Sequence, residues 1–351
     1  MDRLPPRILR RLVLAPLVVA ICLAWMAVSS ALLLGALLYG LIFDRKLRVA
    51  RVLAFATVYT FYEVVSIVAL LGLWIGSGAG LGIRSERMQR IHFTYMRWWL
   101  KRISRAAGRF FRLRISIEDP PARKEGPILV FSRHAGPGNS LMLMGTMMIA
   151  YRRLPRIVML AKLQWDPLFD IMGNRLPNRF IRHDPSERDR SLEVIGELAA
   201  GTAGQGAFVL FPEGKDFTHP LRTRAIASLR RRGFHRHADR AELLRRMLPP
   251  RHNGVMAAVK AAPHADVVFV AHTVLEDVGS FKEIYHRIPF ERPVAARYWR
   301  IPPSEVPTEQ EALIDWLYSW WARIDEWIDD RIDPDDKLKN VLPAEPTEPS
   351  I

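Results

Sequence analysis

Two long apolar runs open the chain. Residues 12–43 carry no charge and residues 52–83 carry one, Glu63. A helix needs roughly 20 apolar residues to cross the hydrocarbon core of a bilayer, so each run is long enough. Between them lies a short basic turn, Asp44-Arg45-Lys46-Leu47-Arg48. Two topologies fit this pattern. Either both helices span and the chain returns to its starting side, or the pair forms a hairpin that dips into one leaflet. Pro16, Gly35, Gly40 and the glycine-rich stretch 76–82 keep the second open. A signal peptide, with Arg3, Arg7, Arg10 and Arg11 as its basic region, is disfavoured because apolar sequence continues past the cleavage-like residues 27–31. Basic flanks favour a cytoplasmic N-terminus and a cytoplasmic location for everything after Ile83. Glu63 is expected to face the partner helix or a polar group, since a lipid-facing carboxylate is costly.

Residues 84–114 have helical period. Met88, Ile91, Tyr95, Trp98, Trp99, Ile103 and Phe110 recur at three- and four-residue spacing, with arginines and Lys101 between them. This is a basic amphipathic helix suited to an anionic interface or to packing on a core. Short apolar runs then alternate with helical stretches. Strands are predicted at 113–117, 128–131, 157–160, 180–182, 207–211, 267–273 and 294–301, and helices at 140–151, 187–200, 254–262 and 308–332. Such alternation predicts an α/β domain with a largely parallel central sheet. The division that follows is a membrane hairpin at 1–83, an interfacial helix at 84–112, an α/β domain at 113–305, a helix at 306–332 and a Pro-, Asp- and Glu-rich tail at 333–351.

With 51 Lys and Arg against 36 Asp and Glu in 351 residues, the net charge is +15. That favours anionic partners without choosing among them. Nucleic acid is set aside, because charge alone supports only non-specific affinity and the membrane hairpin argues against it. The one cysteine, Cys22, permits no intrachain disulfide. His235, His237 and His252 lack the cysteines or spaced carboxylates of a metal site, so no metal is expected.

Two segments carry candidate chemistry. Residues 131–140, Phe-Ser-Arg-His-Ala-Gly-Pro-Gly-Asn-Ser, follow a strand and precede a helix, which puts His134 at the carboxyl end of a strand, where open α/β sheets bind ligands. Residues 208–214 likewise run from a strand into Pro212-Glu213-Gly214. A positioned His can take the proton of an attacking hydroxyl, and the backbone N–H groups of Gly136 and Gly138 are candidates for stabilising an oxyanion.

Together these segments resemble the lysophosphatidate acyltransferase family, within the broader glycerolipid acyltransferases. The family's first motif, His followed after four residues by Asp, stands here as His134 and Asn139; its third, Phe-Pro-Glu-Gly, is intact at Phe211-Pro212-Glu213-Gly214; Arg179-Phe180-Ile181-Arg182 is similar to the second. The stretch with Lys162 and Pro167 resembles the approach to that motif, and Ala271 replaces the proline of the fourth. The resemblance implies a glycerolipid-acyltransferase-like domain that moves a fatty acyl group from acyl-CoA or acyl carrier protein to a lysophospholipid. His134 would be the general base, and no cofactor would be needed beyond the acyl-CoA co-substrate. By the same resemblance Arg182, Glu213 and Gly214 hold the acceptor, with Lys162 assisting. Arg182 has the alternative of a surface ion pair with Asp184 or Glu187. Asn139 brings no charge where the family has Asp, which leaves a second reading: a weak relative that binds lipid or acyl-CoA. Asp166, Asp170 or Asp184 are candidates to supply the missing carboxylate, and Asn139→Asp is expected to raise activity or leave it unchanged. The basic stretch 222–252 suits the phosphates of coenzyme A or a solvated face.

Overall fold

The computed structural model describes residues 4–118, 125–134, 138–182, 185–273 and 285–331. The first apolar run is the helix α1 (Arg7–Phe43) and the second is α2 (Arg48–Gly76), both long and apolar enough to cross a membrane. Pro16 removes a donor from the ladder of α1, and the turn just before it, Arg10–Leu14, widens to π geometry. The hairpin closes on Leu47, which adopts φ +53°, while Asp44 accepts hydrogen bonds from the backbone N–H groups of Lys46 and Arg48. The absence of a side chain at Gly40 leaves room for the Leu47 side chain to pack against α1.

The amphipathic stretch forms α3 (Glu86–Phe111), capped by Ser85, whose hydroxyl accepts from Met88 N. Its apolar face is gripped along its length by α2. Arg51 donates to Phe110 O, Phe55 meets Phe111, Tyr59 meets Trp99, Tyr62 meets Trp98, and Tyr95 donates to Ser66.

The α/β domain comprises β1 (Ile115–Glu118), β2 (Ile128–Ser132), α4 (Asn139–Ala150), β3 (Leu154–Leu160), α5 (Pro167–Arg175), β4 (Arg179–Ile181), α6 (Arg188–Ala200), β5 (Gly206–Leu210), α7 (His219–Arg231), α8 (His235–Leu243), α9 (His252–Ala261), β6 (Asp266–His272), β7 (Val294–Ile301) and α10 (Gln310–Asp329). Sheet order is β1-β7-β6-β2-β5-β3-β4, and the β6–β7 pair is the antiparallel one among the described strands. The fold class is therefore α/β with a largely parallel sheet, preceded by two long apolar helices. Because β2, β3, β4, β5 and β6 run the same way, their carboxyl ends share one edge.

Both faces of the sheet are covered. Leu129, Phe131, Phe208, Val267 and Phe269 pack on α6, α9 and α10, whereas Ile128, Val130, Val209, Val268 and Val270 pack toward Leu143 and Met147 of α4. Burial on both faces explains why these strands read as unbroken apolar runs. Trp321 and Trp327 of α10 are buried, Trp320 stacks on Phe269 and Trp316 meets it at a tilt, so the tryptophans of this helix serve the core.

The two long apolar helices are fastened to the domain by buried polar groups. Arg10 donates to Asp170 at 2.7 Å and to Gln164 at 3.0 Å, and Arg175 donates to Leu70 O at 2.7 Å. Glu63 is buried against Asp166, the residue that caps α5 through Phe169 N. Asp166 and Asp170 thus join the hairpin to α5. Asp184 and the tail 333–351 lie outside the described residues.

Candidate functional site

His134 leaves the carboxyl end of β2, and segment 211–217 holds it from several sides. Its backbone N–H donates to Glu213 Oε1 at 3.1 Å, and its carbonyl accepts from Phe217 N at 3.1 Å. Its ring lies on Phe211 with centroids 4.6 Å apart. Its Nδ1 lies 2.9 Å from Asp216 Oδ1, within ion-pair distance but without the alignment of a hydrogen bond. The ring keeps 23% of its side-chain surface exposed, so it remains open to a reactant. Two segments that were neighbours only by sequence motif therefore form one unit, because β2 and β5 are paired strands.

Glu213 is placed differently from the sequence expectation. Instead of facing an acceptor, it is buried, with Oε1 on His134 N and Oε2 on Leu248 N. It clamps the His134 loop to the segment that precedes α9. Burial pushes its carboxyl up to about 7, against the opposing pull of Arg133 and of those N–H donors. A carboxyl raised in the folded state stabilises fully below its unfolded value, and that stabilisation is lost as pH rises through the folded value. The stability advantage of the wild type over Glu213→Gln is therefore expected to shrink by about 3 kcal/mol between pH 4.5 and 7. Thermal unfolding of both proteins across that window measures it.

Gly214 is positioned by backbone need. Its φ is +69°, its N–H closes a turn on Phe211 O, and a Cβ there would lie 3.0 Å from Arg251 Cζ. It shapes the loop rather than offering a side chain to substrate.

Asn139 also departs from its motif role. It is buried, and its Nδ2 donates to Arg133 O at 2.7 Å, not to His134. Only the amide nitrogen can face a carbonyl oxygen, so an Asp in the same pose would set carboxylate against carbonyl. The helix N-terminus of α4 would return at most about 1 kcal/mol to that charge. Asn139→Asp is thus expected to destabilise the fold by about 2 kcal/mol, a cost that the sequence-based expectation of raised or unchanged activity did not include. Chemical denaturation of the purified variant reads this directly.

Arg133, missed by sequence reasoning, is wholly buried beside the site. It donates to His272 O at 3.0 Å and to Arg246 O at 2.7 Å, tying the ends of β2 and β6 to the loop before α9. His272 is buried next to it, and burial pushes its imidazole down to about 3. The only sequence signal was the presence of a charge inside an apolar strand end.

Lys162 and Arg182 follow β3 and β4, so they lie on the same sheet edge as His134, and both are exposed. With strands about 4.8 Å apart, Arg182 stands roughly 14 Å along the edge from His134. Its ion pair with Glu187 is long, 3.8 Å, and half exposed, so the side chain is readily diverted to a phosphate. Gly138 precedes α4 beside the site, while Gly136 lies outside the described residues. Much of the basic stretch 222–252 is tied up internally. Arg236 and Arg240 meet Asp315, Arg245 and Arg246 meet Asp329, and Arg230 meets Glu242. His237 stacks on Tyr318 with centroids 5.5 Å apart.

The acyltransferase family model matches residues 113–275, the span that holds His134, Glu213 and the strands carrying them. The fold is similar to the crystal structure of the 1-acyl-sn-glycerophosphate (LPA) acyltransferase PlsC from Thermotoga maritima. The TM-score is 0.50 at 16% identity, covering 81% of this chain and 98% of that one. At that identity the likeness is one of fold. No curated protein sequence matches this chain significantly.

Proposed function

We propose, from the premise that this chain is an acyltransferase whose domain over residues 113–275 belongs to the lysophosphatidate acyltransferase family, that it acylates a lysophospholipid hydroxyl at a membrane surface. The donor is the thioester of acyl-CoA or acyl carrier protein. His134 takes the proton of the acceptor hydroxyl as its oxygen attacks the thioester carbonyl carbon. The tetrahedral intermediate collapses, the C–S bond breaks, and the imidazolium returns its proton to the departing thiolate. The Gly138 N–H, with that of Gly136, is the candidate donor to the oxyanion. Lys162 and Arg182 hold the acceptor phosphate further along the edge.

One observation carries this reading above the others. An accessible imidazole is held on the open edge of the sheet by its backbone N–H, its carbonyl and its ring face, all from segment 211–217. Such restraint suits a base that must meet a reacting hydroxyl within hydrogen-bond reach. The test is consumption of acyl-CoA and of acyl carrier protein thioester by membranes containing the protein, against a panel of lysophospholipids. Turnover with a phosphate-bearing acceptor supports the reading. Binding of acyl-CoA without turnover on any acceptor would favour instead the weak, lipid-binding relative suggested by Asn139.

The protein is also proposed to be monotopic, with its catalytic domain on the cytoplasmic face. If α2 crossed the bilayer, α3 would cross beside it, since the two are in contact along their length. α3 has 26 residues, about 39 Å of helix, and it bears Arg87, Arg90, Arg97, Lys101, Arg102, Arg105 and Arg109. Each such charge in hydrocarbon costs about 2.5–3.5 kcal/mol. A hairpin lying in one leaflet avoids this. It leaves the exposed apolar face of α1, from Ile8 to Phe43, in the acyl region. Alongside, a groove of about 730 Å³ lined by Arg87, Arg90, Ile91, Thr94, Tyr95 and Trp98 suits anionic headgroups.

A further inference from the structure

We infer that Asp216 is the carboxylate that orients His134, in the position of duty that the family motif gives to residue 139. The role presupposes the reading above, in which His134 takes the acceptor proton. Asn139 is turned away and bonded to Arg133 O at 2.7 Å, whereas Asp216 Oδ1 stands 2.9 Å from His134 Nδ1. A carboxylate at Nδ1 keeps the proton on that nitrogen and leaves the Nε2 lone pair to act as base. It also stabilises the imidazolium formed during attack. The contact is not yet straight, which is common before substrate binds, since catalytic hydrogen bonds tighten in the reactant complex.

Asp216 is held for this task from both sides. Upstream, the turn from Phe211 to Gly214 fixes the chain direction. Downstream, Phe217 is buried with its N–H on His134 O, and Thr218 caps α7 by accepting from Leu221 N at 3.3 Å. Two anchors around one residue leave its side chain little freedom, so the geometry at Nδ1 requires little further ordering. The other charged or titratable groups around the imidazole are Glu213, bonded to the His134 N–H, with Arg133 and His272 behind it. Both oxygens of Glu213 are on backbone N–H groups, which leaves Asp216 as the carboxylate at the ring nitrogen. The Asp216 side chain is 44% exposed, so its replacement should not threaten the fold.

The experiment uses the full-length protein in membranes, comparing wild type, Asp216→Asn, Asp216→Glu and the double variant Asp216→Asn with Asn139→Asp. Asp216→Asn is expected to lower kcat about 10- to 100-fold with little change in KM. Asp216→Glu should recover part of the loss. The double variant should recover none. A turnover-independent readout is carbethoxylation of His134 by diethyl pyrocarbonate at pH 6, followed by mass spectrometry. Without the Asp216 carboxylate against Nδ1 the ring is less shielded, so modification should be about twofold faster or more. An Asp216→Asn kcat within twofold of wild type overturns the inference, as does recovery in the double variant. If wild type itself gives no turnover, faster modification retains the Asp216–His134 pairing while acyl transfer falls. An unchanged modification rate then overturns the pairing as well.

Discussion

His134→Ala is expected to lower acyl transfer by about 10³-fold or more, since a positioned base contributes roughly 10²–10⁴. His272 is nearby, but burial holds it neutral and it makes no opening to the surface. The variant should fold. The two main-chain bonds that hold residue 134, to Glu213 and from Phe217, do not depend on the ring. The ring contact with Phe211, worth about 1 kcal/mol, and the partly exposed contact with Asp216 are lost. Membrane association should also persist, because the exposed apolar surface lies on α1. Acyl-CoA consumption and vesicle flotation, measured on the same preparation, separate the two properties. A variant that keeps turnover within tenfold of wild type would remove His134 from the mechanism.

Arg10→Met should destabilise the docking of the hairpin by about 3 kcal/mol, while Arg7→Met should be close to neutral. Both residues read alike in the sequence, as basic flanks of an apolar run. In the fold they differ. Arg10 is buried, with Nη2 on Asp170 at 2.7 Å and on Gln164 at 3.0 Å, whereas Arg7 is exposed. Removing one partner of a buried ion pair leaves the other charge uncompensated, at about 3–5 kcal/mol. Arg11, 3.5 Å from Asp170, and the Asn174 amide offset part of this. Unfolding in detergent, together with proteolysis of the hairpin, distinguishes the two variants. Equal effects would mean that Arg10 is only a membrane-flanking charge.

The large elements were legible because their signals are local. The runs 12–43 and 52–83 are too long and apolar to be anything but the seat of long helices, and β7 lies at the predicted residues 294–301 because prolines bracket it and Val294, Tyr298, Trp299 and Ile301 favour a strand. α7 and α8 were not read as helices, since arginines and other polar residues break up the apolar ones there and the stabilising partner of α8, Asp315, is some eighty residues away. α5 carried a readable start in Asp166-Pro167, a capping Asp before a first-turn proline, but its nine residues are too few to show a clear period.

At the site, sequence by itself determined which segments matter. A His after one strand and a Glu-Gly turn after another can be read from residue type, spacing and the alternation of strand and helix. It also determined that glycine stands at 214, where a positive φ follows. What each side chain does was decided only in three dimensions. Glu213 turned inward, Asn139 bonded a carbonyl, and Asp216 reached Nδ1, because parallel pairing of β2 with β5 sets two distant loops side by side. Orientation and burial depend on those non-local contacts, and a motif records only the order of residues along the chain.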